Sequence, residues 1–522
     1  MSRLWSDVTP RTSPQARARA AIAPLDPGAF GPDEARHLLL RVGFGGSPVQ
    51  VRLVAEWGLD RAIEYFLNPG EANFRDDTPP REIRDSVMAE PNPEQRQAYR
   101  RAAARGDEDA LARLRAMIQE RQREDRQQAR AIQRWWLTRM IESPAALQEK
   151  MTLFWHGHFA TNYRAIENSW HMLMQNRLFR AHALGSFAEL MHAIIRDPAM
   201  LAYLDNHRSR RGNPNENLAR ELMELFALGV GNYTERDIRE GARALTGYTF
   251  NNNEFTFNPR QHDRGSKQIL GARGNLDGDA FVRAILAQRS CASFIAAKLY
   301  RFFVAPLPEH WDDRRDPGAT PEVRAYVHAM ADTLRRSRYQ LAPVLREVFR
   351  SAHFYADEAR GELIKSPAEL LVGSIRQLLT PTRDLNTLLD AMDLMGQNPL
   401  FPPSVAGWPG GRWWINTNTL FTRQNAAAYL LTGRLAGQRQ PRPADSYDPA
   451  PIVQTLARED ERAAREPEAL ADQLLRFMLG RRPPEAAATI ASFIAEHGGV
   501  RNAQGVTGAI LLITAMPEYQ LC

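Results

Sequence analysis

A chain of 522 residues, 43% hydrophobic and 25% charged, has the balance of a folded globular protein and not of a disordered one. Its two cysteines, Cys291 and Cys522, exclude a disulfide framework and a cysteine-based zinc site. The net charge of +6 is a weak pointer to anionic partners, because the arginines are interleaved with acids, as in ERQREDRQQAR, and no nucleic-acid partner is expected.

The first thirty residues are basic but contain no apolar h-region, so no signal peptide is read. A cytoplasmic location is the expectation, with export alongside a partner left open. The longest late apolar run, GAILLITAM, is far short of a membrane span. Residues 1–30 are assigned to an N-terminal extension, 31–435 to a main helical domain, and 436–522 to a C-terminal helical segment packed upon it.

Helical signals dominate. FGPDEARHLLLRVGFGG has Pro, Asp and Glu at its start and glycines after its end. VQVRLVAEWGLDRAIEYFL is a short amphipathic pair. Residues 92–141 form one long polar helix or two, and the polar stretch 75–130 is expected to be an inserted, exposed helical hairpin. YTERDIREGARALTGY opens on a Thr234/Asp237 capping pattern and ends at Gly247. Residues 251–274 alternate Asn, Gly and Pro with aromatics, as in a β-hairpin or ordered loop. Helices resume from 278 to about 380, and a second polar-aromatic loop covers 395–425. A Pro-rich stretch at 436–451 suits a linker or surface loop. The predicted fold is all-α: one large multi-helix domain with two long polar-aromatic loops and a small β-hairpin element.

Only four lysines occur, Lys150, Lys267, Lys298 and Lys365. Where arginine serves for nearly every surface cation, a lysine marks a place that suits a compact ammonium better than a planar guanidinium.

Four stretches carry unusual chemistry. EKMTLFWHGHFATN holds His156 and His158, a candidate metal pair. In a continuous helix the two point about 200° apart, so sharing a ligand requires the helix to loosen at Gly157. LDNHRSRRGNPNENLARELMELF holds Asp205, Asn206, Glu216, Arg220, Glu221 and Glu224. Asn215 suits an N-cap, and Glu216 with Arg220 is an ordinary i,i+4 pair. Glu221 and Glu224, three apart, repel unless a proton, a cation or a substrate lies between them. QHDRGSK holds His262, Asp263 and Lys267, either an Asx-type turn or a loop closing over a site. GWPGGRWWINTN holds Trp408, Trp413, Trp414 and Asn416, suited equally to sugar stacking and to a packed loop.

RHLLLRVGFGGSP, EKMTLFWHGHFATN, DPAMLAYLDN, NENLARELMELFALGVGNYTERDIREGARALTGY, HDRGSK, KSPAELLVGSIRQL, VAGWPGGRWWINTN and MPEYQL together resemble the bacterial family catalogued as domain of unknown function 1800. The resemblance runs from about residue 30 to the end. It implies one architecture over most of the chain and supplies no reaction. Members of that family are often encoded beside a sulfatase-like family, which implies a sulfatase-like protein partner.

The sequence therefore sets an expectation of a hydrolase acting on a saccharide or other hydroxyl-rich substrate. Glu216, Glu221, Glu224, His262 and Asp263 are the candidate catalytic groups. Asp205, Asn206, Arg220, Lys267, Trp408, Trp413, Trp414 and Asn416 are the candidate substrate contacts. The cofactor is left open: histidines and carboxylates without cysteine suit zinc, manganese or iron at His156 and His158. The alternative is a non-catalytic partner or maturation factor for a neighbouring sulfatase-like enzyme.

Overall fold

Helices and four short strands build the chain in the computed structural model, which describes residues 22–68, 78–89, 92–308, 320–434 and 446–522. Much of the 436–451 stretch and most of the N-terminal extension lie outside the described residues. Residues 22–30 dock instead of dangling: Leu25 N–H donates to Arg350 O and Ala352 N–H to Ala23 O, at 2.7 and 2.8 Å. Among the described residues no single helix is long and apolar enough to cross a membrane.

Helix α1 (Pro32–Val42) starts with proline at its first turn and stops at Gly43. The amphipathic pair that follows breaks at Gly58. The polar hairpin is present as Pro93–Arg105 followed by α2 (Glu108–Glu142). It is not a detachable insert, because α2 continues unbroken from an exposed polar half into a core half that buries Ile132, Trp136, Leu137 and Met140. The 35-residue length of α2 joins both environments in one rod.

Against that core half lie α3 (Ala146–His158) and α4 (Ser169–Ala181). A buried ion triad ties the three helices: Glu149 takes Arg139 Nε at 2.9 Å and Arg180 Nε at 2.8 Å. Burial alone would raise the Glu149 carboxyl, but the Arg180 and Arg139 guanidinia hold it below the usual range.

Next come α5 (Asn217–Met223), a single π-helical turn at Glu224–Leu228, and α6 (Glu235–Ala244). The expected capping box at the start of α6 is formed, Thr234 Oγ1 accepting from Asp237 N–H while Asp237 accepts from Thr234 N–H. The expected β element is two antiparallel hairpins, β1 (Tyr248–Asn251) with β2 (Glu254–Phe257), and β3 (Lys267–Ile269) with β4 (Ala272–Gly274). Asn252, at φ 52°, supplies the left-handed residue of the first two-residue turn.

Helix α7 (Arg289–Phe303) packs on the π turn, and α8 (Pro367–Leu378) and α9 (Thr417–Thr432) lead to the C-terminal helices. The last residues pair with an earlier strand-like segment: Cys522 N–H donates to Leu363 O and Lys365 N–H to Gln520 O, both at 2.8 Å.

All four lysines are wholly or partly buried. Lys150 donates to Leu40 O at 3.0 Å and pairs with Glu369 at 2.8 Å. Lys267 donates to Asp263 O and Gly265 O, Lys298 to Leu225 O, and Lys365 to Tyr519 O. Lys150, Lys267 and Lys365 are buried and Lys298 is half-buried. Each delivers its ammonium to one or more backbone carbonyls.

Candidate functional site

The two histidines of α3 do not converge. The helix runs continuously through Gly157, so the two rings leave on different sides. His156 Nε2 accepts the amide hydrogen of Leu400 at 3.1 Å, with Trp136 and Trp408 edge-on to its ring. An amide can only donate, so this nitrogen carries no proton, and burial lowers the ring's pKa to about 3. His158 Nε2 donates to Phe226 O at 2.9 Å inside a shell of Phe154, Phe159 and Phe226. Burial, with help from the Lys298 charge, holds His158 well below its ordinary range. The expected shared metal pair is thus replaced by two separate anchors, one for the 395–416 loop and one for the π turn. Among the described residues no group of three or more His, Cys, Asp or Glu is placed to hold a metal ion.

Several candidate substrate contacts are framework groups. Asn206 is fully buried and donates to Leu245 O and Tyr248 O, clamping the start of β1. Asp205 sits exposed at φ 55° and lies 3.7 Å from Arg208. Asn215 accepts from Asn217 N–H in a turn ahead of α5, whose N-cap is Glu216 and not the expected Asn215. Glu216 keeps its Arg220 pair at 3.4 Å, but Arg220 spends its fork on Glu235, two bonds of 3.0 Å that strap α5 to α6. Trp414 is buried, and Asn416 caps α9 through Thr419 N–H. Trp408 packs on Gly157 and His156. A side chain at Gly407, φ 82°, would collide with Gly157 O, so this close approach needs a glycine at 407. Trp413, 74% exposed, is the tryptophan of this loop that leaves its indole in solvent.

The 261–267 loop turns its chemistry inward. His262 Nδ1 donates to Thr246 O at 2.8 Å, and Asp263 receives both Nε and Nη2 of Arg243, at 2.8 and 3.1 Å. Those bonds to Arg243 hold the Asp263 carboxyl below the usual carboxylate range. Gly265 N–H donates to Asp263 Oδ1 at 2.8 Å, the Asx-type turn that the sequence allowed. Lys267 closes the loop on its own carbonyls. The side-chain hydrogen bonds of this loop run to Arg243, to Thr246 and to its own backbone.

Glu221 and Glu224 remain as a pair whose chemistry the framework does not absorb. Among the described residues neither forms an ion pair with an arginine, though the Arg220 charge reaches Glu221. Glu224 Oε2 accepts the Tyr233 hydroxyl at 2.5 Å. The half-buried Glu221 carboxylate has no hydrogen-bond partner among the described residues. Burial raises its pKa, the Glu224 charge raises it further, and Arg220 opposes. Tyr203 lies close enough that the Glu221 charge adds to the upward shift burial causes in its phenol.

The π turn explains why this pair sits where it does. It begins at Glu224 and ends at Gly229, φ 78°, whose N–H donates to Met223 O. The loosened turn frees Leu225 O for Lys298 and Phe226 O for His158. Single π turns recur at functional sites because they re-aim side chains without ending a helix. Tyr233, Tyr203 and the π turn were not read from the sequence. A glycine, Gly229, five residues after Glu224 and followed by an exposed Tyr-containing loop was the available signal.

A family model described as protein of unknown function (DUF1800) matches residues 37–521. No curated protein and no solved structure matches the chain.

Proposed function

We propose, for a chain that belongs to the family of proteins of unknown function DUF1800, a hydrolase that works with a split carboxylate pair on a hydroxyl-rich substrate. One observation carries this reading: Glu221 is half-buried, unpartnered and shifted upward, one helical turn from Glu224, which Tyr233 holds. A half-buried carboxyl raised beside a second carboxylate suits general acid–base catalysis. Glu221, whose proton is held more tightly by burial and by the Glu224 charge, gives it to a leaving oxygen. Glu224, fixed by the Tyr233 hydroxyl, takes a proton from the attacking water. Both groups sit on one helix face, so a single bond of the substrate meets both. The described residues supply groups for this metal-free version. The saccharide class draws support from the exposed Trp413 indole beside the start of α9.

The test is hydrolysis of a panel of oligosaccharides and sugar esters by wild type, Glu221→Gln, Glu224→Gln and Glu216→Gln. The first two variants lose about a thousandfold in turnover, within the usual range for an acid or base, while Glu216→Gln keeps its rate. Unchanged turnover in Glu221→Gln and Glu224→Gln would remove the reading.

A second reading, a non-catalytic partner of a sulfatase-like enzyme, is favoured by one feature. Trp413 and Phe421, 74% and 67% exposed, flank the N-terminal end of α9. Large apolar groups this open are characteristic of recognition surfaces. On this reading Trp413→Ala weakens association with the sulfatase-like partner, measured by co-sedimentation, and unchanged association removes it.

A further inference from the structure

Two arginine-bearing turns meet beside the 261–267 loop. Arg211 N–H donates to Gln261 O at 2.8 Å, and Gly247 N–H donates to Ser209 O, so the 209–213 turn lies against the 258–265 loop. Between them opens a cleft of about 910 Å³ lined by Arg211, Pro259, Arg260, His262, Asp263 and Arg264 with Gly212 and Gly265. That volume is in the range of ligand sites.

Charge makes the cleft unusual. The one acid in its wall, Asp263, is already bound by both arms of Arg243 from behind. Arg211, Arg260 and Arg264 are exposed and have no side-chain partner among the described residues. Three unpaired guanidinia therefore face one concavity with no acid left to answer them. Some other arginines of this chain are paired, Arg220 with Glu235, Arg346 with Glu64 and Arg360 with Glu34.

The floor under them is rigid. Arg260 N–H donates to Asn258 Oδ1, Gly265 N–H to Asp263 Oδ1, and Lys267 ties off two loop carbonyls. Gly247, φ 80°, lets the backbone of Asn258 and His262 approach to a distance no side chain would permit. A held backbone with free guanidinium ends pre-organises oxyanion binding.

The remaining groups narrow the ligand. His262 Nδ1 is committed as a donor to Thr246 O, so in the neutral ring Nε2 is an acceptor, suited to a hydroxyl. Pro259 offers a flat apolar ring. The lining has no Phe, Tyr or Trp, the stacking platform that single-stranded nucleic acid binding uses.

We propose that this cleft binds an oxyanion-bearing saccharide, the arginines taking its sulfate, phosphate or carboxylate groups and His262 one of its hydroxyls. The proposal rests on the hydroxyl-rich substrate reading and makes that substrate anionic.

Equilibrium binding tests it with four probes: a sulfated dextran oligosaccharide, an oligogalacturonate, a neutral dextran oligosaccharide of equal length, and a single-stranded RNA oligonucleotide. One or both anionic saccharides bind, the sulfated or the carboxylated winner naming the anion, and the neutral one does not. Arg260→Ser/Arg264→Ser weakens that binding by about tenfold or more, as expected for lost charge-assisted contacts, and flattens its salt dependence. The charge-matched control Arg100→Ser/Arg101→Ser, on the exposed face of Pro93–Arg105, binds as wild type does. Glu221→Gln, which leaves every cleft arginine in place, also binds as wild type does whether or not turnover depends on Glu221, so the two proposals fail separately. Equal binding of neutral and anionic dextran, equal loss in the two double variants, or tighter binding of the RNA than of either saccharide would overturn the inference.

Discussion

The Tyr233 hydroxyl donates to Glu224 Oε2 at 2.5 Å, across the turn that follows the π-helical residues. Burial and this bond to a carboxylate both push the phenol upward, so it stays a donor throughout the ordinary pH range. Tyr233 therefore fixes the position of Glu224 and lets Glu221, three residues earlier, be the member of the pair that is left unsatisfied. Tyr233→Phe removes the donor and little else. Stability falls by about 1 kcal/mol, the usual worth of one such bond, read from the shift in denaturation midpoint. No shift would show that the Tyr233 hydroxyl bonds water as readily as it bonds Glu224.

Glu221 gives a signed pH dependence. Its folded-state pKa is raised above the unfolded value, chiefly by burial. The ionised form is thus disfavoured by folding, and the penalty grows as pH rises from the unfolded value through the raised one. Glu221→Gln should melt higher than wild type at pH 7 and lose that advantage below about pH 4, where both side chains are uncharged. A variant that melts lower at pH 7 would mean the carboxylate makes a stabilising contact.

His156 moves stability the other way. Its folded pKa is depressed to about 3 by burial, so the native state resists a proton that the unfolded chain accepts near pH 6.5. Stability from the neutral ring is fully present above the unfolded value and is lost as pH falls from there toward 3. At pH 5 this one group costs about 2 kcal/mol. Replacing it, as in His156→Gln, should remove about that much of the stability lost between pH 7 and pH 5, measured by paired denaturant titrations. An equal acid loss in both proteins would contradict the burial of a neutral ring bonded to Leu400.

Lys150 tests the reading of the four lysines. Its ammonium fits between Leu40 O and Glu369 at full burial. Lys150→Arg keeps the charge and adds bulk, and should cost about 1–3 kcal/mol as overpacking does. The opposite swap at the exposed Arg100 should be neutral. Equal, negligible effects at both would make the lysines chance survivors.

Local physics was legible in the sequence wherever partners lie close along the chain. The Thr234/Asp237 capping box, the Asx turn at Asp263 and the proline and glycine boundaries of α1 all appear as read, while the cap expected at Asn215 falls one residue later, at Glu216. The lysines were legible because composition made them rare. What failed were roles set by distant partners. His156 finds Leu400, 244 residues away, and His158 finds Phe226, 68 away. Nothing in a His-x-His spelling carries those separations. Arg220 was placed with Glu216 and is, but its stronger bonds go to Glu235 on the next helix. The arginine cleft was hidden by the same skew that exposed the lysines, since no single arginine stands out in a chain that uses them everywhere.

The proposed acid–base role rests on a Glu221 carboxyl raised by burial and by the neighbouring Glu224 charge. Carbon-13 NMR titration of the Glu221 carboxyl, in wild type and in Glu224→Gln, tests it most directly. The account predicts a Glu221 midpoint above the ordinary glutamate value in wild type, falling toward that value, though not to it, once the Glu224 charge is removed, because burial remains. A Glu221 that titrates at the ordinary value in both proteins would contradict it.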